Sequence, residues 1–341
     1  MEQVSVLGID LAKSVFEVTG WDAGGRTVLQ RRLGRDKLQQ VVSKLRPCVI
    51  GMEACGGAHH WGREFRRKGH DVRLISPQFV KPYVKTNKND RADSEAICEA
   101  VTRPHMRFVP VKSLDQQDVL SVHRVRERLM KSRTALRNEI RGLLAEYGVV
   151  AAQGTCALSR ALPRILEEAD NGLTDRMREL IADLSAELRE LEDRVTRYDQ
   201  KVETMARTDE VCQRLQSVPG VGPLTATAVV ASTGNAHAFR NGRAFAAWLG
   251  LVPRQHSSGG KERLLGISKR GDKYVRKLLV HGARSVLLRL GSQMKDRRSV
   301  WLRELLSRRG HNRACVALAN KNARILWALM ARGETYRAKA A

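Results

Sequence analysis

The spacing of apolar residues predicts a first third built of alternating strands and helices. Three short strands come first, in VSVLGIDLA, FEVTGWD and TVLQRRL, and the turn signal Ala23-Gly24-Gly25 separates the last two. A helix with apolar positions 38, 41, 42 and 45 follows, then the apolar strand CVIGME, a helix over 58–68, the strand DVRLIS and a helix from about residue 91 to 101. The pattern therefore predicts the order β-β-β-α-β-α-β-α.

This order is that of an RNase H-like fold, in which an antiparallel trio of strands is extended by parallel ones. Helical spacing then runs from Leu114 to Tyr147, and a second stretch from Leu173 to Met205 has apolar positions three and four residues apart, which is typical of a coiled-coil seam. We expect an antiparallel helical arm, with ordinary helices packed on the domain body as the alternative. We predict three domains: an α/β domain over 1–110, the arm over 111–210, and a mostly helical domain over 211–341 with one conspicuous loop over 253–271.

Charge changes the picture, because the chain carries a formal net charge of +25. From Arg254 to Ala341 there are 22 Lys and Arg against 5 Asp and Glu, so this segment contributes +17. Such an excess favours a nucleic acid as partner over a ribosome-associated role or a merely basic surface. No apolar run is long enough for a membrane span, and the six cysteines lack CxxC spacing. We expect a cytoplasmic, nucleoid-associated protein with reduced thiols, no membrane contact and no zinc site.

Four acids are candidates for a metal site. Asp10 lies in the first strand, Glu53 ends the apolar strand CVIGME, and Asp90 and Asp93 lie three residues apart at the start of a helix. In the predicted topology the first and fourth strands are neighbours, so the four carboxylates can converge. Hard oxygen ligands suit two Mg²⁺ ions, with Mn²⁺ as an alternative, and two metals serve phosphodiester displacement. Helix-start acids favoured by the helix dipole remain the alternative for Asp90 and Asp93.

Two segments of the last domain are candidates for contact with nucleic acid. The turn QSVPGVGPLTA has the form of a helix-hairpin-helix, in which Gly220 and Gly222 let backbone N–H groups approach a phosphate. Further on, the loop with Ser257 and Ser258 offers a hydroxyl amid cations, either as a nucleophile or as a phosphate-gripping loop without a covalent role. The other candidate nucleic-acid-binding residues of this region are Gly259, Lys261, Arg263, Lys269, Arg270, Lys273 and Arg276.

The motifs GIDLAKSVF, GMEACGGAHHW, NKNDRADSEAI, QSVPGVGPLTA and LGLVPRQHSSGGKERLLGISKRGDKYVRKLL together resemble the transposases of insertion-sequence family 110, and most closely its 1111 subgroup. The resemblance implies a RuvC-like N-terminal domain whose acidic set falls on Asp10, Glu53, Asp90 and Asp93. It also implies a coiled-coil segment and a C-terminal transposase domain whose serine nucleophile falls on Ser258, with the adjacent Ser257 one position away.

The same resemblance implies partners. Family members use a structured bridge RNA that pairs with donor and target DNA, and they work as a dimer of dimers. The implied reaction is strand exchange through a phosphoserine intermediate. Two alternatives remain open: a Holliday-junction or structure-specific endonuclease that uses metal-bound water, and a nucleic-acid-binding scaffold without catalysis.

Overall fold

The computed structural model describes residues 3–84, 90–152, 154, 157–291, 293 and 296–337, and of Asp90 it describes the backbone alone. The chain divides into two compact units, Met1–Asp115 and Gln116–Ala341. The second unit contains the predicted C-terminal domain and all but the first five residues of the predicted arm, so the threefold division of the chain stays a prediction. No helix in the described ranges has the length and apolar character needed to cross a membrane.

The first unit is built on a sheet of six strands in the order β3-β2-β1-β4-β5-β6. β1, β2 and β3 are antiparallel, β4 lies parallel to β1, and β5 lies parallel to β4. The eight predicted elements are all present, and a short helix over Pro77–Val80 and a short strand over Phe108–Val109 are further elements that the pattern does not predict. In chain order they are β1 (Val6–Asp10), β2 (Val15–Trp21), β3 (Thr27–Gly34), α1 (Arg35–Lys44), β4 (Val49–Glu53), α2 (Ala58–Arg67), β5 (Asp71–Ile75), α3 (Pro77–Val80), α4 (Asp90–Thr102) and β6 (Phe108–Val109).

Helices cover both faces of this sheet, which is why its central strands are apolar without strict alternation. On one face, buried side chains of α1 and α2, among them Leu38, Trp61 and Phe65, pack against Leu7 and Phe16. On the other face α4 packs closely on β1 and β2.

Long helices dominate the second unit. In chain order its elements are α5 (Leu114–Ala145), which begins at the boundary between the units, α6 (Ala157–Glu167), α7 (Asp175–Thr208), α8 (Glu210–Gln216), α9 (Pro223–Thr233), α10 (Gly242–Trp248), β7 (Pro253–Gln255), β8 (Leu264–Ile267), α11 (Lys273–Leu288), α12 (Arg297–Arg309) and α13 (His311–Arg332). Apolar residues from α8 to α13 form one continuous core.

The helices α5 and α7 run antiparallel, because Arg126 is paired with Asp199 and Arg137, further along α5, with Glu192, earlier in α7. Leucine and isoleucine side chains of α5, α6 and α7 share a separate core. The predicted seam differs from the structure at its start: Leu180 is 42% exposed, and Ile181 is buried instead. The position shifts because α6 also packs on α7 and selects the side that faces it.

Candidate functional site

Two of the predicted acids lie side by side at the carboxyl ends of two central strands of the sheet. β1 and β4 are parallel neighbours in which Ile9 pairs with Met52. Asp10 and Glu53 are the next residues of these strands and their last ones, so both carboxylates lie at the carboxyl ends of adjacent strands. α4 begins at Asp90, and Asp93 is in its first turn.

A pair of glycines lets α4 lie close to these strands. Gly8 and Gly51 are register partners on β1 and β4. A Cβ atom on Gly8 would lie 2.3 Å from the Ser94 carbonyl oxygen of α4, and one on Gly51 would lie 2.9 Å from Ile97 Cγ2. The Ser94 hydroxyl also shares a 2.7 Å hydrogen bond with the hydroxyl of Thr19 on β2, so the first turns of α4 are fixed to the sheet.

The carboxylates interact through their charges. Burial raises the pKa of Glu53 above its ordinary value, and the negative charges of Asp10 and Asp93 raise it further. The Cys55 thiol responds in the same way: its pKa is raised first by burial and then by Glu53 and Asp10. Asp10, Glu53 and Asp93 therefore form one region of negative potential, which we call the acidic cluster. The side chain of Asp90, the fourth predicted member, lies outside the described residues.

The donor chemistry of the acidic cluster fits a hard divalent cation, because carboxylate oxygens are the ligands such ions prefer and a cation would relieve the mutual repulsion. In the described part of the chain, which excludes the Asp90 side chain, no three His, Cys, Asp or Glu residues are grouped tightly enough to hold a metal ion. The predicted metal site thus stays a prediction.

The predicted serine loop is a β-hairpin. β7 and β8 are antiparallel, and an isolated bridge joins Ser258 to Lys261 beyond them. Gly259 and Gly260 have φ values of 56° and 75°. Positive φ at both central residues is the mark of a type I′ turn, the connection that suits the twist of two strands. The two serines therefore lie at the tip of an exposed hairpin.

The two serine hydroxyls have different surroundings. Ser257 Oγ accepts a hydrogen bond from the Arg263 backbone N–H, at 3.4 Å, and so takes part in the hairpin itself. The Ser258 carbonyl accepts a bond from the Lys261 N–H at 3.1 Å. Within the described ranges no hydrogen-bond partner is found for the Ser258 hydroxyl. Lys261 is the bridge partner of Ser258, directly opposite it on the other strand of the hairpin.

The predicted helix-hairpin-helix joins α8 to α9. Gly220 has a φ of 87°, and a Cβ there would lie 2.7 Å from the Gly282 carbonyl oxygen of α11, so this glycine is required by packing. Gly222 is the exposed residue before α9, with open space around its Cα. The fully buried Asn322 of α13 donates through Nδ2 to the Pro219 carbonyl at 3.1 Å and holds the turn in place.

Comparison with known proteins identifies the family. A family model described as Transposase IS116/IS110/IS902 family matches residues 212–299, and a DEDD transposase model of IS110 type matches residues 7–149. The chain is 52% identical to the transposase for insertion sequence element IS1111A of Coxiella burnetii, over 99% of this chain and 92% of that protein. It is 53% identical to a Pseudomonas aeruginosa protein named as a family 20 transposase, over 98% of this chain and 99% of the relative. The chain is 39% identical to the Yersinia enterocolitica transposase for insertion sequence element IS1328, over 98% of this chain and 99% of that protein.

The chain belongs to the IS116/IS110/IS902 family of transposases. It is therefore an insertion-sequence transposase, a DNA-cleaving and DNA-recombining enzyme. The stretch matched at 7–149 contains all four predicted acids, and the stretch at 212–299 contains the glycine turn and the hairpin.

One of the predicted nucleic-acid contacts of the transposase has a different environment from the one expected. Arg276 is 9% exposed, and its Nη1 donates to the carbonyl oxygens of Leu249 and Arg270 at 2.9 and 3.0 Å. Its guanidinium holds the loop before α11 against α10 and faces no open surface. The other predicted cations, Lys261, Arg263, Lys269, Arg270 and Lys273, are exposed.

Sequence reasoning missed the glycines that position α4 on the acidic cluster. Gly8 and Gly51 each precede an acid by two residues, in Gly8-Ile9-Asp10 and Gly51-Met52-Glu53. This repeated spacing is a usable signal, since a glycine inside a strand marks a close approach of another element.

Proposed function

We propose that this transposase cleaves and rejoins DNA strands with a divalent cation held by the acidic cluster and with Ser258 as nucleophile. The observation that carries the proposal is the position of Asp10 and Glu53 at the carboxyl ends of the neighbouring strands β1 and β4, with Asp93 in the first turn of α4. The pKa of Glu53, which is raised by burial and by the charges of Asp10 and Asp93, supports it. An enzyme keeps carboxylates in mutual repulsion where they have a task other than stability. The strand order β3-β2-β1-β4-β5 supports assigning the first unit to the RNase H-like, RuvC-like folds.

Asp10, Glu53, Asp90 and Asp93 are the residues that would hold Mg²⁺ or Mn²⁺. When bound, such ions supply charge stabilisation for the oxygens of a phosphodiester displacement. The protein's own part is to hold the acids in place: the ends of β1 and β4 fix Asp10 and Glu53, and the glycine pair lets α4 bring Asp93 close.

Ser258 is favoured over Ser257 as the nucleophile because the Ser257 hydroxyl is already used inside the hairpin. In the proposed step Ser258 Oγ forms a bond to phosphorus and loses its proton, while the bond from phosphorus to one bridging oxygen breaks and that oxygen takes up a proton. Lys261, across the hairpin, is placed to stabilise the charge that develops on the phosphoryl oxygens. A later attack by a DNA hydroxyl reverses the step and joins a new strand.

The proposal extends to partners. The resemblance to insertion-sequence family 110 supports a structured bridge RNA, donor and target DNA, and a dimer or tetramer of the chain. The +25 net charge suits a protein that binds two kinds of nucleic acid at once.

The test is a trapping assay on the element's own ends, with wild type, Ser258→Ala, Ser257→Ala and Asp10→Asn. We expect a covalent protein–DNA species on denaturing gels for wild type and Ser257→Ala, and none for Ser258→Ala. Asp10→Asn should bind DNA in the presence of a chelator and fail to cleave when Mg²⁺ is added. Cleavage by Ser258→Ala without any adduct would favour a structure-specific endonuclease that uses water as nucleophile.

A further inference from the structure

A basic cleft of the transposase lies beside the hairpin strands β7 and β8. A cleft of about 1550 Å³ opens between β8 on one side and α12 and α13 on the other. Its volume exceeds the roughly 300–1,000 Å³ of pockets built for small molecules. The cleft is therefore suited to a polymer segment.

The charge of this cleft has one sign. Among the residues that the structure describes, its lining contains no Asp or Glu, and it contains the cations Arg243, Arg309, Arg313, Lys321 and Arg324. No ion pair joins any of these five to a carboxylate in the described residues. Burial lowers the pKa of Lys321, and the charges of Arg298, Arg297 and Arg324 lower it further against the opposing charge of Asp296. A surface of this kind attracts a polyanion and repels a second copy of the same basic chain.

Apolar and aromatic side chains form the wall between the cations. The indole of Trp301 carries the Lys321 ammonium 4.3 Å from its ring centre and also lines the cleft, as do Leu305 and Ile325. On the opposite side the strand β8 presents Leu264, 65% exposed, and Leu265, 38% exposed. Exposed leucines in the lining of a cleft mark a surface that a ligand covers.

Unpaired bases fit such a wall, and paired bases do not. A duplex keeps its base faces stacked inside and offers phosphates and base edges only. A single strand offers flat apolar faces for side chains such as Trp301, while its phosphates lie near arginines. We propose that the cleft between β8 and α12–α13 binds an unpaired stretch of DNA, with bases against the apolar wall and phosphates on Arg309, Arg313 and Arg324. The inference rests on the proposed nucleic-acid function and adds the kind of strand and its place.

The position of the cleft beside the Ser258 hairpin has a consequence for strand exchange. β8 is the returning strand of the hairpin that carries Ser258, so an unpaired strand in the cleft contacts the same hairpin as the proposed nucleophile. Strand exchange needs DNA ends to be unpaired from one partner before they pair with another. The cleft would hold a strand in that interval.

The experiment measures binding of the full-length protein to a labelled twenty-nucleotide dT strand, an equal U strand and a duplex of the same length, with a chelator present so that no cleavage occurs. The test variant is the double substitution Arg313→Ala with Arg324→Ala, since both side chains are exposed. The matched control is Arg284→Ala with Arg289→Ala, which removes the same charge from exposed positions of α11 and its end, outside the cleft.

We expect the test variant to bind dT roughly tenfold more weakly at physiological salt and to lower the slope of log affinity against log salt by about 1.4, the value for two phosphate contacts on a single strand. The control should change dT binding less than threefold, and duplex binding should fall equally in both variants. A loss confined to the U strand would overturn the assignment to DNA and indicate RNA as the occupant.

Equal losses of single-strand binding in the two double variants would overturn the inference, and so would a loss confined to duplex. A variant that changes the association state in sedimentation and leaves strand binding intact would show an interface between copies instead. The substitution Trp301→Leu gives an independent check: it should weaken dT binding about tenfold without changing the salt slope, because it removes stacking and no charge. Adduct formation by Ser258 is scored separately, so the two proposals fail on different readouts.

Discussion

The close approach of α4 to the sheet can be tested with one methyl group. A Cβ at position 8 would lie 2.3 Å from the Ser94 carbonyl oxygen and 2.7 Å from Cys98 Sγ. Ordinary contact begins at 3.4 Å, so the oxygen is about 1.1 Å too near. Because the obstacle is helix backbone and cannot rotate away, Gly8→Ala must push α4 outward by about that distance. Overpacking of this kind costs about 1–3 kcal/mol of stability.

The functional effect of Gly8→Ala should exceed its effect on stability. Asp93 moves with α4, and Asp10 and Glu53 stay with the strands, so the acidic cluster opens by about 1 Å. A misplacement of that size costs on the order of 100-fold in rate when it separates groups that act together. We expect a Gly8→Ala transposase that folds, melts earlier and cleaves DNA about 100-fold more slowly.

The assay pairs thermal unfolding with a cleavage rate, and the control is Gly34→Ala. Gly34 has an ordinary φ of −78°, and its nearest neighbour to a new Cβ is Ser14 O at 4.0 Å. That variant should match wild type in both measurements. If Gly8→Ala matched it too, α4 would not lie against β1 as described, and the reasoning from the glycine pair would fail.

Three further predictions concern charge and packing. Glu53→Gln should stabilise the chelator-treated protein at neutral pH. The raised pKa of Glu53 makes wild type lose stability as pH rises from the ordinary pKa of 4.5 through the raised pKa of the folded protein. Urea unfolding at several pH values measures this loss, and a pH profile that Glu53→Gln leaves unchanged would contradict the prediction. Burial lowers the pKa of His123 to about 4. The second unit should therefore lose up to roughly 3 kcal/mol of folding stability as pH falls from 6.5 to 4. His123→Gln should reduce this dependence of stability on pH in acid titrations followed by circular dichroism. Gly282→Ala should lower the melting temperature, because its Cβ would lie 1.9 Å from the Gly220 carbonyl oxygen. The control Gly142→Ala, on the open surface of α5, should raise the melting temperature through about 0.5–1 kcal/mol of helix propensity. Equal shifts in the two variants would show that α11 and the glycine turn are not in contact.

The first five strands of the first unit could be predicted because each is short and bounded by turn residues, whereas the two-residue strand β6 is too short to give a pattern. Parallel pairing of β1 with β4 also followed from the order of elements, and it brings Asp10 beside Glu53. The closeness of α4 could not be deduced from periodicity, since it depends on the absence of side chains at Gly8 and Gly51. Tertiary packing decides such distances.

The second unit shows where composition misleads. The basic segment around Arg276 predicts an exposed cation. In the structure the Arg276 side chain is buried and donates hydrogen bonds to two backbone carbonyls, and no sequence pattern indicates that these carbonyls lie nearby. Leu180 continues the three-four spacing, yet the partner helices select Ile181. The sequence analysis predicts only a loop at the hairpin, although Ser-Ser-Gly-Gly-Lys contains the two-glycine signal of a type I′ turn.

The distribution of the acidic cluster along the chain has a consequence for synthesis. Its members come from the first strand, the fourth strand and a helix that begins at residue 90, and the hairpin that carries Ser258 follows more than 150 residues later. A chain emerging from the ribosome cannot assemble the cluster until that helix has been translated. It also lacks the serine until most of the second unit exists. A partly made chain that ends before the hairpin therefore contains the acidic cluster without Ser258.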